Sequence, residues 1–438
     1  MNEKISFVSI LPLVLFVGTF IGCGIYYQDF YAIPSPIAVI IGIISAFVLF
    51  RSTFNEKVST FIAGLGNSNI LTMCVIYLLA GAFATLSKDL GCVDVIVELS
   101  VQCIPIQYIP LGIFIIASFI SLASGTSVGT IVTIAPIAFG FSQNYELNHS
   151  FVAASLLGGA MFGDNLSMIS DTTIAATQSL GCSMKDKFYE NLKFAIPAAL
   201  LTCVFYLYLS EPVEYQLVEY DYSIVNYWFV LPYLLVILLA LLGIHVFLVL
   251  IIGVLATAFL GIFFSDLNFL TLSTSIYKGF SDMNEIFLLS LLTGGLAAMI
   301  EAAGGVQYIL NKIQKVIKGK KSAMFGIGGL VSLVDIATAN NTIAIIISSK
   351  IANVIKEEYK LSARLTAAIL DIFSCVFQGI LPYGAQVLLL IGLSNQLVAY
   401  DTLISYTYYP FLLLFIVIVW LLIVPRKRLS TNDLHINK

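Results

Sequence analysis

The strongest constraint on this chain is a series of long apolar segments that recurs along its whole length. Hydrophobic residues make up 59% of the 438 residues and charged residues 11%, against roughly 25% charged residues in a soluble globular protein. Segments of about 18 or more apolar residues can cross a bilayer as helices. Ten such segments predict an all-α polytopic membrane protein with about ten transmembrane helices. They cover residues 5–27, 33–50, 69–88, 150–180, 193–210, 224–241, 243–264, 284–303, 362–395 and 408–424.

Four apolar segments are interrupted by Gly, Pro or small polar residues. Segments 150–180 and 362–395 are too long for one plain helix, so we predict two broken helices. Segments 108–142 and 322–355 are each divided into halves of about 14–17 residues, short for a full crossing. We therefore predict two re-entrant hairpins.

The positive charges give the expected orientation in the membrane. With the N-terminus in the cytoplasm, all of the 21 Lys and Arg residues except Lys88 and Lys278 fall on the cytoplasmic side. Cytoplasmic loops of membrane proteins carry such an excess of Lys and Arg. We expect a multi-pass protein of a bacterial inner membrane with both termini cytoplasmic and the first apolar segment retained.

An internal repeat at an offset near 214 residues relates the two halves of the chain. Leu78–Ala84 resembles Leu291–Ala297, and the breaks of the hairpins and of the long segments align as well. Five crossings per copy is an odd number, so the second copy enters from the opposite face of the membrane. The sequence predicts two inverted-topology repeats, residues 1–212 and 213–438, which is an architecture of secondary transporters.

The four breaks are the expected ligand-binding positions. Backbone without helical hydrogen bonds is tolerated at membrane depth only where it faces protein or a polar cavity. The free backbone carbonyls and the Ser and Thr hydroxyls at such helix breaks suit a hard cation such as Na⁺. We predict two related sites. The first comprises Ser124, Gly125, Thr126, Ser127, Asp164, Asn165, Ser167, Ser170 and Asp171, and the second comprises Thr338, Asn340, Asn341, Thr342, Gln378, Gly379, Tyr383 and Gly384.

Four acidic residues, Asp164, Asp171, Asp335 and Asp371, lie within apolar segments and are predicted to be buried. An intramembrane carboxylate is costly, which makes it a functional candidate. One such group can bind either a proton or Na⁺, and this competition is the simplest physical route to exchange. We expect no buried Lys or Arg near the centre to neutralise these acids.

Several other classes of function are disfavoured. The seven cysteines are scattered, and the three histidines fall in short loops or the tail, so neither disulfides nor a transition-metal site is indicated. No basic patch suggests nucleic acid, and no cofactor is expected beyond Na⁺ and H⁺ as transported or coupling ions. An intramembrane aspartyl protease would carry a GxGD motif, but the tetrapeptide Met161–Asp164 lacks the first Gly.

The segment Gly163–Thr173, with the sequence GDNLSMISDTT, resembles the GD-x-x-SP-x-SDTT motif of the NhaC-type Na⁺/H⁺ antiporter family within the ion transporter superfamily. Ala339–Asn340 is similar to the family's AN tip, and Leu381–Tyr383 to its LIPW motif. Met168, Leu370 and Tyr383 depart from the pattern, where the family has Pro, Glu and Trp. The resemblance implies cation or substrate residues at Asp164, Ser167, Ser170, Asp171, Asn340 and Asp371.

Two functions follow as alternatives. The first is Na⁺/H⁺ antiport by alternating access, with Asp164, Ser167, Asp171 and Asn340 as the Na⁺ candidates. The second is a Na⁺- or H⁺-coupled carrier of a small amino acid or organic acid, which the paired hairpin tips would suit. No enzyme activity is expected. The expected partners are the lipid bilayer and a small ion or molecule. A homodimer is a further expectation, although the sequence identifies no interface.

Overall fold

All segments with regular secondary structure among the described residues are helical. Eight helices there are long and apolar enough to cross a membrane, and the number is ten if two bent helix pairs each count as one span. The predicted fold class of an all-α multi-pass membrane protein is therefore confirmed. The computed structural model describes residues 6–27, 33–101, 105–168, 170–210, 227–242, 244–265, 268–315 and 317–429.

The first half of the chain contains ten described α-helices, and a 3₁₀ turn at Phe7–Ile10 leads into the first of them. They are α1 (Leu11–Tyr27), α2 (Ser35–Leu49), α3 (Phe54–Leu65), α4 (Ser68–Asp89), α5 (Cys92–Val101), α6 (Ile109–Ser124), α7 (Ser127–Asn144), α8 (His149–Leu166), α9 (Asp171–Leu180) and α10 (Met184–Leu209).

The described helices of the second half repeat this order. A 3₁₀ turn at Tyr227–Val230 again precedes the first helix, and the last position holds two helices in place of one. The predicted boundary near residue 212 lies outside the described residues, and the opposite orientation of the two copies stays a prediction. The helices are α11 (Leu231–Leu241), α12 (Val246–Phe264), α13 (Phe269–Asp282), α14 (Asn284–Ala302), α15 (Gly305–Gln314), α16 (Lys320–Thr338), α17 (Asn341–Tyr359), α18 (Ala363–Ile380), α19 (Ala385–Leu393), α20 (Tyr400–Tyr406) and α21 (Tyr408–Ile423).

Contacts between the halves occur in matched pairs. α3 packs on α14 as α13 packs on α4, and α9 packs on α17 as α19 packs on α7. Glycines allow close approach at two of these crossings. A β-carbon at Gly81 would lie 2.1 Å from the carbonyl oxygen of Gly279, and one at Gly64 would lie 2.6 Å from that of Gly294. Small residues let helix backbones approach closely in membranes.

Each predicted hairpin is a pair of packed helices with a two-residue break, α6–α7 and α16–α17. The breaks have the same backbone form, because Gly125 (φ 71°) and Ala339 (φ 49°) both end a helix in the left-handed conformation. The predicted length of about 14–17 residues holds for α6, which has 16 residues, but is too short for the other three halves. α7 has 18 residues, while α16 and α17 have 19 each, because polar residues extend these helices beyond the apolar segments. Re-entry into the membrane stays a prediction.

The two long segments are broken helices, as predicted, and they form the centre of the molecule. α8 and α9 are separated at residues 167–170, and α18 and α19 at residues 381–384. The most apolar stretches of these two segments are 88% and 89% buried. Where α8 meets α18, the thiol of Cys375 donates to the carbonyl oxygen of Met161. These two positions are related by the offset of the repeat, so the halves meet at equivalent residues.

Candidate functional site

A polar cavity of about 500 Å³ lies where both hairpin tips approach the first broken helix. It brings together residues from both predicted clusters, so the structure has one shared cavity where the sequence suggested two related sites. Eleven of the predicted residues line it: Ser124, Gly125, Thr126, Ser127, Asp164, Ser170, Asp171, Asn340, Asn341, Thr342 and Gln378.

Asp164 is the buried carboxylate of this cavity. It lies in the last turn of α8 and is only 6% exposed. Ser127 Oγ donates to its Oδ2 and Ser170 Oγ donates to its Oδ1, each at 2.7 Å. No ion pair between Asp164 and a Lys or Arg occurs among the described residues. Within the part of the chain that the structure describes, the carboxylate therefore contacts hydroxyl groups and no Lys or Arg.

A chain of amides connects Asp164 to the second half. Gln386 Nε2 donates to Ser127 Oγ at 3.0 Å, and Gln386 Oε1 accepts from Gln378 Nε2 at 2.9 Å. Ser127 thus lies between the carboxylate and the amides. The chain joins Asp164 of α8 to Gln378 of α18 and Gln386 of α19.

Three helices begin at the cavity, and each is capped by a side chain that lines it. Thr126 Oγ1 accepts from the backbone N–H of Gly129 at the start of α7. Asn340 Oδ1 accepts from that of Ile343 at the start of α17, and Ser170 Oγ accepts from that of Thr172 at the start of α9. The positive ends of three helix dipoles therefore lie near the cavity, which favours negative charge there.

The remaining predicted residues lie outside the cavity lining. Ser167 accepts a hydrogen bond at its carbonyl oxygen from Thr173 Oγ1. Thr338 Oγ1 donates to the carbonyl oxygen of Val334. The hydroxyl of Tyr383 donates to the carbonyl oxygen of Ile336. The other predicted residues outside the lining are Asn165, Asp371, Gly379 and Gly384.

The expectation that no buried Lys or Arg lies near the acids is wrong. Lys187 of α10 is 0% exposed, and its Nζ lies 2.7 Å from Asp371 Oδ2. Asn165 Nδ2 and Asn191 Nδ2 also donate to Asp371 Oδ2, at 2.9 and 2.8 Å. The sequence places Lys187 in a cytoplasmic loop, but α10 begins at Met184 and carries this residue into the interior. Asp371 is therefore neutralised, whereas Asp164 is not.

The four predicted buried acids have four different environments. Asp171 is exposed at the first residue of α9 and lines the cavity, so the prediction that it is buried is wrong. Asp335, in the last turn of α16, is 0% exposed, and neither carboxyl oxygen has a hydrogen-bond partner among the described residues. Asp335 does not line the cavity. Asp164 alone combines burial with access to it.

The sequence reasoning missed several residues of the site and its surroundings. Gln386 and His245 line the cavity, as does Thr72 of α4. Gln386 is a polar residue inside an apolar segment just after a predicted break, and this signal could have identified it. Lys187 and Asn191 are spaced four residues apart, so they share one face of α10. That spacing also offered a signal.

A sequence profile of the Na⁺/H⁺ antiporter family matches residues 3–210 and 219–425. The chain belongs to this family. The resemblance to NhaC-type antiporters is therefore confirmed, and the protein is a member of a family of multi-pass membrane transporters.

Individual relatives are similar over large parts of the chain. The malate-2H⁺/Na⁺-lactate antiporter of Bacillus subtilis is 27% identical over 310 residues, which cover 67% of this chain and 66% of that protein. The Na⁺/H⁺ antiporter NhaC of B. subtilis is 22% identical, covering 73% of this chain and 77% of that protein. The solved structure of the Alcanivorax borkumensis YdaH transporter aligns with a TM-score of 0.43 and 14% identity, over 85% of this chain and 89% of that one.

Proposed function

We propose that this protein exchanges Na⁺ for protons, and that Asp164 binds the two ions in turn. The observation that carries the proposal is the geometry of Asp164, a buried carboxylate that lines a shared cavity, has two hydroxyl partners and forms no ion pair among the described residues. The helix N-termini and the two hydroxyls lower the cost of this buried negative charge, but no counter-ion contacts it among the described residues, and a bound cation supplies one. A proton and Na⁺ both meet this need.

The hydroxyls of Ser127 and Ser170 let the site accept either ion. A hydroxyl group is a donor through its hydrogen and an acceptor through its lone pairs, and it rotates to suit its partner. In the structure both hydroxyls donate to Asp164. When Na⁺ binds, both can rotate and present oxygen lone pairs to the ion beside the carboxylate. Because one carboxylate takes one positive charge, binding of Na⁺ releases the proton.

Asp371 has a different part in this account. Its charge is already compensated by Lys187, which is held at 2.7 Å. We therefore propose that Asp371 does not exchange ions and that it positions Asn165, the neighbour of Asp164. The family resemblance implies Asp371 as a site residue. In this proposal Asp371 acts through Asn165 and does not line the cavity.

The membrane setting of the cycle is also part of the proposal. The bias of Lys and Arg supports an inner-membrane location with both termini in the cytoplasm. The matched contacts between the halves support alternating access, because two similar halves can exchange conformations around one cavity. A homodimer stays a prediction.

Proteoliposomes with an internal pH-sensitive dye test the exchange directly. A pulse of external Na⁺ should change the internal pH with wild-type protein and should have no effect with Asp164→Asn. Asp401→Asn is a matched control, because Asp401 is an exposed acid on α20, away from the cavity. It should retain wild-type exchange. Retained exchange in Asp164→Asn would contradict the proposal.

A second function is favoured by the size and lining of the cavity. A volume of about 500 Å³ exceeds the needs of one ion, and four amide side chains line it: Asn340, Asn341, Gln378 and Gln386. A relative is named a malate-2H⁺/Na⁺-lactate antiporter. However, no Lys or Arg is among the described residues that line the cavity. An organic anion would therefore have to enter together with cations.

The same vesicles separate the two functions. A pH response to Na⁺ alone supports simple exchange. A response that appears only after malate or lactate is added would support the organic-acid carrier and overturn simple exchange. Asp164→Asn should abolish the response in both cases, because the coupling ion binds there.

A further inference from the structure

Lys187 lies at the junction of three elements, and its ammonium group contacts an oxygen atom from each. Nζ donates to the carbonyl oxygen of Asn165 near the end of α8, at 2.9 Å. It donates to Thr173 Oγ1 in the first turn of α9 at 2.7 Å, and it lies 2.7 Å from Asp371 Oδ2 of α18. The side chain is 1% exposed. The ammonium group is thus enclosed at the break between α8 and α9.

The groups around Nζ are those that bind a hard cation. A main-chain carbonyl, a hydroxyl and a carboxylate are all oxygen ligands, and they converge on one point. An ammonium group has three donors and no acceptor, so these three oxygens satisfy it completely. Asn191 Nδ2 donates to Asn165 O and Asp371 Oδ2, at 2.8 Å each, and so holds two of the three oxygens in place.

We infer that these oxygens form a second monovalent-cation site, separate from the cavity, and that the Lys187 ammonium occupies it as a tethered cation. The carboxylate of Asp371 supplies the single negative charge that a monovalent cation needs. Because the cation is covalently attached to α10, its occupancy does not depend on the Na⁺ concentration. The broken end of α8, which carries Asp164, is therefore stabilised when the cavity is empty as well as when it is filled.

A cation site and an ordinary buried ion pair respond differently when the lysine is removed. Removal of one partner from a buried ion pair leaves an unpaired charge and weakens the protein under all ionic conditions. Removal of the ammonium from a cation site leaves a vacancy that a free cation can fill. The inference therefore predicts a new dependence of stability on Na⁺ or K⁺ when Lys187 is replaced by a neutral residue.

The test uses Lys187→Ala, which removes both the ammonium and the methylene groups next to it, in an Asp164→Asn background. The background change removes the carboxylate of the cavity, so that any new cation dependence belongs to the second site. The melting temperature of the purified protein in detergent is measured in NaCl, in KCl and in choline chloride at equal ionic strength. Choline is a cation too large for the enclosed site.

Asp164→Asn alone should melt at the same temperature in all three salts. The double variant should melt lower in choline and should recover with Na⁺ or K⁺, with a saturable rise of at least about 3 °C at high cation concentration. Addition of Asp371→Asn as a third change removes the carboxylate ligand and should abolish the rise. In the double variant a free ion then takes the position of the Lys187 ammonium, whereas in the triple variant that position stays empty.

Two results would overturn the inference. One is a double variant that melts at the same temperature in all three salts or fails to fold in every one of them. The other is a triple variant that recovers with Na⁺ or K⁺ as fully as the double variant does. Cation dependence in Asp164→Asn alone would count against the role of Asp164 in the proposed function, and the added effect of Lys187→Ala would still decide whether the second site exists.

Discussion

The two halves of the molecule share their backbone breaks but differ in the side chains at those breaks. At the repeat-related positions, Asp164 of the first half corresponds to Gln378 of the second, and Thr126 corresponds to Asn340. All four residues line the cavity. The first half therefore supplies the carboxylates of the site, and the second half supplies amides.

A carrier needs two similar halves and a site of defined charge, and here the backbones meet the first need while the side chains meet the second. In the proposed alternating-access cycle, similar backbones let the two halves exchange conformations, which would open the site to either face. A pair of equivalent carboxylates in one cavity would repel each other and would bind two cations. The replacement of one of them by Gln378 leaves a single buried carboxylate for one exchangeable ion, while the amide chain through Gln386 keeps the halves connected.

The largest difference in stability is expected between substitutions of two buried acids of the second half. Asp371→Asn removes the counter-charge of Lys187 and should lower the free energy of unfolding by about 3–5 kcal/mol. Asp335→Asn is the matched control, because the carboxyl of Asp335 has no hydrogen-bond partner among the described residues. It should change stability by less than about 1 kcal/mol. Thermal melting in detergent measures both, and equal losses would show that the ion pair with Lys187 is unimportant.

A smaller difference in stability is expected between alanine substitutions at the two glycine-containing helix crossings, α4–α13 and α3–α14. A β-carbon at Gly81 meets the backbone carbonyl of Gly279 at 2.1 Å, and a backbone cannot easily move away. Gly81→Ala should therefore cost about 1–3 kcal/mol. At Gly294 the nearest atom is Cδ1 of Ile70, at 2.2 Å, the flexible end of a side chain. Gly294→Ala should cost less, and a greater loss for Gly294→Ala in melting measurements would contradict this packing.

The smallest effects concern the left-handed residues at the two hairpin tips. Gly125→Ala places a β-carbon at φ 71° and should cost about 1–2 kcal/mol. Ala339 already has φ 49°, so Ala339→Gly should relieve strain and stabilise the protein by up to about 1 kcal/mol. Opposite shifts in melting temperature are expected. Shifts of the same sign would show that the two tips do not share one backbone form.

The sequence was sufficient to predict the features that depend on local pattern. Apolar length predicted the multi-pass fold, and small polar residues within apolar segments predicted all four breaks. The buried position of Lys187 could not be predicted in this way. Charge counting places it near the start of α10, on the cytoplasmic side, whereas its burial depends on Asp371, 184 positions further along the chain.

Dependence on residues that are distant in the chain also explains the other differences between the predicted and the observed site. Asp171 lies within the apolar segment 150–180 and is predicted to be buried, but as the first residue of α9 it is exposed and lines the cavity. The two predicted clusters form one cavity because the second hairpin tip approaches the first broken helix, and no local pattern reports that approach. Contacts between distant segments decide which polar residues meet.

The proposed exchange requires that one carboxylate, Asp164, binds either a proton or Na⁺. Proton release on Na⁺ binding can be measured with purified protein in weakly buffered detergent solution. We expect added Na⁺ to release one proton for each radioactive Na⁺ ion bound, and we expect Asp164→Asn to lose both the binding and the release. Na⁺ binding without proton release, or unchanged release from Asp164→Asn, would show that the two ions do not compete for Asp164.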